Sequence, residues 1–159
     1  MAKKIQETKP NINKHPFADP EENAGFLMWQ VSMSWQRKLK NGLDKIGITH
    51  AQFMLLAALQ YTGTQKNIVS QQDLAKHCRI DKMMTSKILR TLQKKALLSR
   101  KRNKMDTRSK TLALSEEGEN ILSQALKIVN KIDTDFTISL GLNALSFHED
   151  LRSLLKVNS

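Results

Sequence analysis

Apolar and polar positions along this chain alternate mostly at helical spacing, with one short interruption of strand-like alternation. From about Glu22 to Ile46, the residues Leu27, Met28, Val31, Trp35, Leu39 and Ile46 share one face of a helical wheel. Phe26, Trp29 and Met33 lie on another face, so this helix needs covering twice, and a partner subunit is one way to supply the second cover. Thr49-His50-Ala51-Gln52 has the spacing of a capping box, opening a helix through FMLLAALQY. After the polar stretch TGTQKN, Ser70-Gln71-Gln72-Asp73 resembles a second capping box ahead of a short helix, QDLAKHC. Asp81 can cap a third helix, KMMTSKILRTLQKKA. Leu97-Leu98 and the alternating Thr111-Leu112-Ala113-Leu114 then predict two antiparallel strands, roughly 98–102 and 110–114, joined by a loop of about seven residues.

Ser115 starts a long helix, and Glu116, Glu117 and Glu119 in its first turn suit the helix dipole. Its stripe is Ile121, Leu122, Ala125, Ile128, Val129, Ile132 and Phe136. A break is expected from Asp133 to Gly141, before a last helix bearing Leu145, Leu151, Leu154 and Leu155. Residues 1–20 are polar and carry Pro10, Pro16 and Pro20, which reads as a loosely ordered arm. The prediction is a mainly α protein with a small β-hairpin. Two short capped helices, a basic helix and a basic hairpin in succession constitute a winged helix-turn-helix.

Composition narrows the function. At 159 residues, with 40% hydrophobic and 26% charged content, the chain suits one domain with a core of its own. No apolar run approaches the ~20 residues of a membrane span, and the start lacks the apolar region of a signal peptide. A single cysteine, Cys78, fits a reducing cytoplasm. His15, His50, His77 and His148 are isolated, so no zinc site is expected, and no nucleophile–base motif or phosphate-cradling glycine loop points to an enzyme. No cofactor is expected.

Charge is the informative property. Between Lys76 and Lys110 stand 13 Lys/Arg and two acids, Asp81 and Asp106, so this segment alone accounts for the +11 net charge of the chain. Such a concentrated footprint points to a polyanion, with nucleic acid ahead of an anionic membrane surface.

On the basic helix, Ser86, Lys87, Arg90 and Lys94 cluster within about 60° of Met83. Met84, Thr85, Ile88, Leu89, Leu92 and Ala96 fall on the opposite face, toward a core. A helix of this kind fits the DNA major groove, where Lys and Arg reach guanine O6 and N7. Lys87 and Arg90 are assigned to base edges or nearby phosphates, Ser86 to a hydrogen bond and Met83 to a thymine methyl. Lys82 and Lys94, nearer the helix ends, are assigned to phosphate; Thr85 is included in the contact set as well. An exposed helix ordinarily mixes Glu with Lys at i,i+4; here no acid follows Asp81 on the helix.

In the loop, Asp106 can accept backbone N–H bonds or pair with Arg108, aiming the guanidinium outward. Arg108 is the candidate for a narrow minor groove, with Arg102, Lys104 and Lys110 placed for phosphate.

Asp106-Thr107-Arg108-Ser109-Lys110-Thr111-Leu112-Ala113-Leu114-Ser115, followed by Glu116-Glu117-Gly118, resembles the D-x-R-x-x-x-L-x-L-T-x-x-G pattern of the MarR family of winged-helix transcriptional regulators. DLAKHCRIDKMMTSKILRTLQKKALLSRK is similar to the family's helix-turn-helix, and ITHAQFMLLAAL to the helix before it; the likeness runs from about Gly25 to Leu155. It implies a homodimer held by N- and C-terminal helices, with two winged lobes on a palindromic site. It also implies repression relieved by a small ligand or by cysteine oxidation. The division implied is an arm (1–20), a dimerisation helix (21–47), a DNA-binding domain (48–115) and C-terminal dimerisation helices (116–159). Family sensors bind amphipathic molecules beside the first two helices, which makes Phe26, Trp29, Phe53 and Leu56 the ligand candidates.

Two departures stand out. Ala96 replaces the usual glycine at a helix end, and no cysteine lies near the start of the first long helix, where peroxide sensors carry theirs. Cys78 reads as a buried filler, although His77 and Arg79 beside it could lower its pKa. The alternative function is an RNA-binding module using the same basic surface, which the 5% aromatic content disfavours.

Overall fold

The computed structural model describes residues 23–66, 68–102 and 110–157, with 100–102 and 110 described by backbone alone. The predicted arm therefore lies outside the described residues. In order the chain forms α1 (Ala24–Leu43), a 3₁₀ turn (Asp44–Ile46), α2 (His50–Gln65), α3 (Gln71–Cys78), α4 (Lys82–Lys94), β1 (Leu98–Arg102) and β2 (Lys110–Leu114). Then come α5 (Glu116–Thr137), a second 3₁₀ turn (Ile138–Asn143) and α6 (Ala144–Val157). This is the mainly α architecture with a hairpin that the hydrophobic pattern predicts, and both strands have the expected limits.

Contacts divide the described residues into two units at the 36/37 boundary within α1. In the first, the Asn23 side chain accepts the Phe26 N–H at 2.7 Å and caps the start of α1. Leu27, Met28, Trp29, Val31 and Met33 are all exposed on this part of the helix. The Phe26 and Trp29 rings lie 5.7 Å apart.

The second unit holds every buried apolar side chain among the described residues. At its centre α2 packs against α3, α4, β2 and α5. Leu39 and Leu43 at the end of α1, Leu55 and Leu56 of α2, Leu74 of α3, Leu89 and Leu92 of α4 and Leu122 of α5 are completely shielded. A β-carbon on Gly42 would meet Ile128 Cγ2 at 2.6 Å, so glycine is what lets the end of α1 approach α5.

The caps follow the sequence signals. Thr49 Oγ1 accepts the Gln52 N–H at 3.2 Å while Gln52 Oε1 accepts the Thr49 N–H at 3.1 Å. Ser70 and Asp73 form the same reciprocal pair, at 3.2 and 2.9 Å.

One boundary differs from expectation. The break placed from Asp133 begins instead at Ile138, because the polar Asp133–Asp135 stretch stays helical. Lys131 and Asp135 pair at i,i+4 across 3.0 Å, and Thr137 donates its hydroxyl to the Asp133 carbonyl at 2.9 Å. The turn comes at Gly141, whose φ of 53° and ψ of −126° suit a residue without a β-carbon. Ala96, by contrast, adopts φ 57° with a side chain. The Ala96 N–H bonds the Gln93 carbonyl and the Leu97 N–H bonds the Leu92 carbonyl, each at 3.0 Å, closing α4 with the turn that glycine usually makes.

Candidate nucleic-acid interface

The reading unit is built from α3, the turn after it and α4. The turn is closed by Arg79 N–H to Lys76 O at 3.3 Å and Ile80 N–H to Ala75 O at 3.1 Å, with Arg79 in the left-handed region at φ 52°. Asp81 then caps α4 by accepting the Met84 N–H at 2.8 Å. The Gln71 side-chain amide at the head of α3 donates to the Lys82 carbonyl at 3.3 Å, tying the two helix starts together.

Ile88, Leu89 and Leu92 turn inward and are buried, which fixes the rotation of α4 about its axis. Lys82, Met83, Lys87, Arg90 and Lys94 are left exposed and Ser86 half-buried. Asp81, Lys82, Met83, Met84, Ser86, Lys87 and Arg90 line one open concavity. The wheel thus separates the cationic side from the buried stripe, with corrections at Thr85, at Met84 and at Ala96, which lies past the end of α4 and is exposed. Thr85 is fully buried and its hydroxyl donates to the Asp81 carbonyl at 2.8 Å, so it is a core residue and not a contact. Met84, assigned to the core face, is 50% exposed, because it stands at the flank of the buried stripe rather than within it.

The hairpin is anchored at its base. Leu98 pairs with Leu114 and Arg102 with Lys110 across the antiparallel ladder, and Leu98 and Leu112 are buried. The Leu112 N–H also donates to the Val69 carbonyl at 3.0 Å, a third, single-residue attachment that strand periodicity does not reveal. The remaining wing candidates, Lys104, Asp106 and Arg108, lie outside the described residues.

Other titratable groups are structural. Lys95 donates to the Gly47 carbonyl and lies 3.4 Å from Gln52 Oε1, so this cation braces the turn before α2. His50 stacks on Phe53 with ring centroids 6.4 Å apart; burial lowers its pKa, partly opposed by Asp133. Cys78 donates weakly to the Met54 carbonyl at 3.6 Å. Burial pushes its thiol pKa up, opposite to the shift from His77 and Arg79 considered from sequence and opposite to what a reactive thiolate requires. Of the ligand candidates, Phe53 and Leu56 are buried core residues, so a ligand reaches Leu56 only by opening the core; Phe26 is half-buried and Trp29 exposed.

The sequence profile of the MarR family matches residues 48–110, from just before α2 to the first residue of β2. The HTH-type transcriptional regulator YdcH of Bacillus subtilis is 38% identical over 140 residues, spanning 88% of this chain and 95% of that protein. The chain belongs to the MarR family. It is a MarR-family transcriptional regulator that binds DNA, and not an enzyme. The organic hydroperoxide resistance transcriptional regulator of Bacillus subtilis is 27% identical over 142 residues, covering 89% of this chain and 88% of its own. Two solved MarR-family folds superpose on the chain. A mutant of MarR from E. coli complexed with operator DNA does so with TM-score 0.72 at 23% identity, over 82% of this chain and 91% of that one. The S. aureus MepR–DNA complex does so with TM-score 0.76 at 23% identity, over 84% and 97%. Among the described residues no helix is long and apolar enough to cross a membrane, and no three His, Cys, Asp or Glu could hold a metal ion.

Proposed function

We propose that this chain is a homodimeric, sequence-specific repressor whose two winged lobes grip a pseudo-palindromic operator. The observation that carries the reading is the +11 net charge confined to Lys76–Lys110, a segment that includes α4, whose inner face is locked into the core. Lys87 and Arg90 read guanine edges from the major groove, Ser86 adds a hydrogen bond, and Lys82 and Lys94 hold phosphates. Arg108 enters the minor groove from the wing, oriented by Asp106, with Arg102, Lys104 and Lys110 on the backbone.

Dimerisation draws on the terminal helices. α6 contains no buried residue, and Leu142, Leu145, Leu151 and Val157 expose their side chains at that end of the chain. An apolar surface of this kind favours a second copy. A small amphipathic effector relieves repression, and the protein works in the cytoplasm.

Selection from a random duplex library, followed by footprinting, tests the reading. The expected site is a pseudo-palindrome with half-site centres about one helical turn, ~10 base pairs, apart. A single asymmetric half-site, or preference for single-stranded RNA over duplex DNA, would contradict it.

A further inference from the structure

The most exposed apolar side chain on the reading helix is Met83, at 84%, and its neighbour Met84 is half exposed. Both stand in the first turn of α4, which the Asp81 cap and the Gln71 amide hold in place. Among the described residues of the 37–159 unit nothing buries Met83, whereas Ile88, Leu89 and Leu92 of the same helix are packed away. Cations flank the pair, with Lys82 before it and Lys87 and Arg90 after it on the face of Met83, and all of these residues line the same concavity. Two thioethers among cations gain little from solvent and nothing from a phosphate. They suit an apolar feature presented within a polyanionic surface.

The major groove offers one such feature. Thymine carries a 5-methyl group there, the one methyl among the major-groove edges of the four bases, which otherwise present mainly hydrogen-bond donors and acceptors. Successive residues of a helix diverge by about 100°, so Met83 and Met84 address different base pairs. Methionine is unbranched and polarizable, and follows a methyl group without a strict rotamer requirement.

We propose that Met83 and Met84 are a reader of 5-methylpyrimidines, which makes the operator's thymine methyls specificity determinants alongside the bases met by Lys87 and Arg90. The inference rests on the proposed DNA-binding mode and extends it to a chemical group. 5-Methylcytosine at the same position presents the same methyl, so the reader accepts it in place of thymine as far as this contact is concerned.

The test uses the full chain and its selected operator duplex. Each thymine in turn is replaced by deoxyuridine, which removes one methyl and leaves every hydrogen-bonding edge intact. Loss of the contact weakens binding about three- to tenfold at one or two thymines per half-site and leaves the other positions flat. In a Met83→Ala/Met84→Ala double variant, the thymine duplex binds more weakly and the deoxyuridine penalty disappears, while Met83→Leu retains it. Because both residues are exposed, the double variant keeps the wild-type melting temperature, which is measured alongside. Uniform tolerance of deoxyuridine, a penalty of equal size in the double variant, or a selected site without thymine under α4 would each overturn the reader while leaving DNA binding intact. Failure to bind any duplex would overturn the DNA-binding mode and the reader with it.

Discussion

Gly118 lies so close to Leu97 that a β-carbon on it would stand 1.9 Å from the Leu97 carbonyl oxygen. The same junction is tied by the Ser115 hydroxyl, which donates to the Ala96 carbonyl at 2.6 Å and accepts the Gly118 N–H at 3.0 Å. The Ser115 N–H completes it by donating to the Leu97 carbonyl at 3.2 Å. The end of the reading helix, the base of the wing and the start of α5 are therefore joined at one point. Gly118→Ala forces backbone apart and should cost about 2 kcal/mol or more in urea unfolding. Ser115→Ala removes the cap and should cost about 1 kcal/mol. An unchanged midpoint for Gly118→Ala would refute the close approach.

Ala96→Gly should act in the opposite direction. Alanine at φ 57° carries a steric penalty that glycine avoids, so the variant gains about 1 kcal/mol in the same unfolding experiment. A loss of stability would show that the turn opens when the side chain is removed.

Acid should weaken the junction between α2 and α3. Asp73 accepts from Lys66 Nζ at 2.6 Å, from the Ser70 hydroxyl at 2.6 Å and from the Ser70 N–H at 2.9 Å. These bonds, with Lys66 the largest contributor, hold its carboxyl down from 3.8 to about 2. A depressed folded pKa stabilises the fold above the unfolded value and loses that contribution as pH falls through the folded one. Asp73→Asn should therefore be less stable than wild type at neutral pH, with the gap closing between about pH 4 and pH 2. A constant gap across that window would count against the assigned hydrogen bonds.

The exposed apolar residues of α6 make a separate prediction about assembly. Leu145→Glu combined with Leu151→Glu should convert a sedimenting dimer to a monomer and weaken operator binding at least tenfold, without unfolding the 39–129 core. A dimer that survives both substitutions would move the interface elsewhere.

Much of this was legible in the sequence because the signals are local. Thr49, Ser70, Asp81 and Ser115 are each followed by the residues their caps need, and the alternation at Thr111–Leu114 marks a strand at its true limits. The cationic face of α4 follows from a period of 3.6 and a buried stripe of Ile88, Leu89 and Leu92. The misses are long-range. Nothing local shows that Lys95 braces Gly47 or that Leu112 reaches Val69, since those partners are set by packing across the lobe. Thr85 misleads because its hydroxyl resembles a contact group, whereas its bond to the preceding turn lets it bury. The break starts at Ile138 rather than at Asp133 because polar side chains do not by themselves interrupt a helical backbone.

The central claim is that a core-locked cationic helix and a basic wing together grip duplex DNA. The decisive measurement is operator affinity against salt for the wild type, Lys87→Ala and Arg108→Ala, each shown to be folded and dimeric. The wild type should lose affinity steeply, with log K changing by about −0.9 per phosphate contact for each decade of salt. Each variant should bind about tenfold or more weakly at fixed salt. Undiminished affinity in both variants, or a wild-type affinity indifferent to salt, would contradict the account.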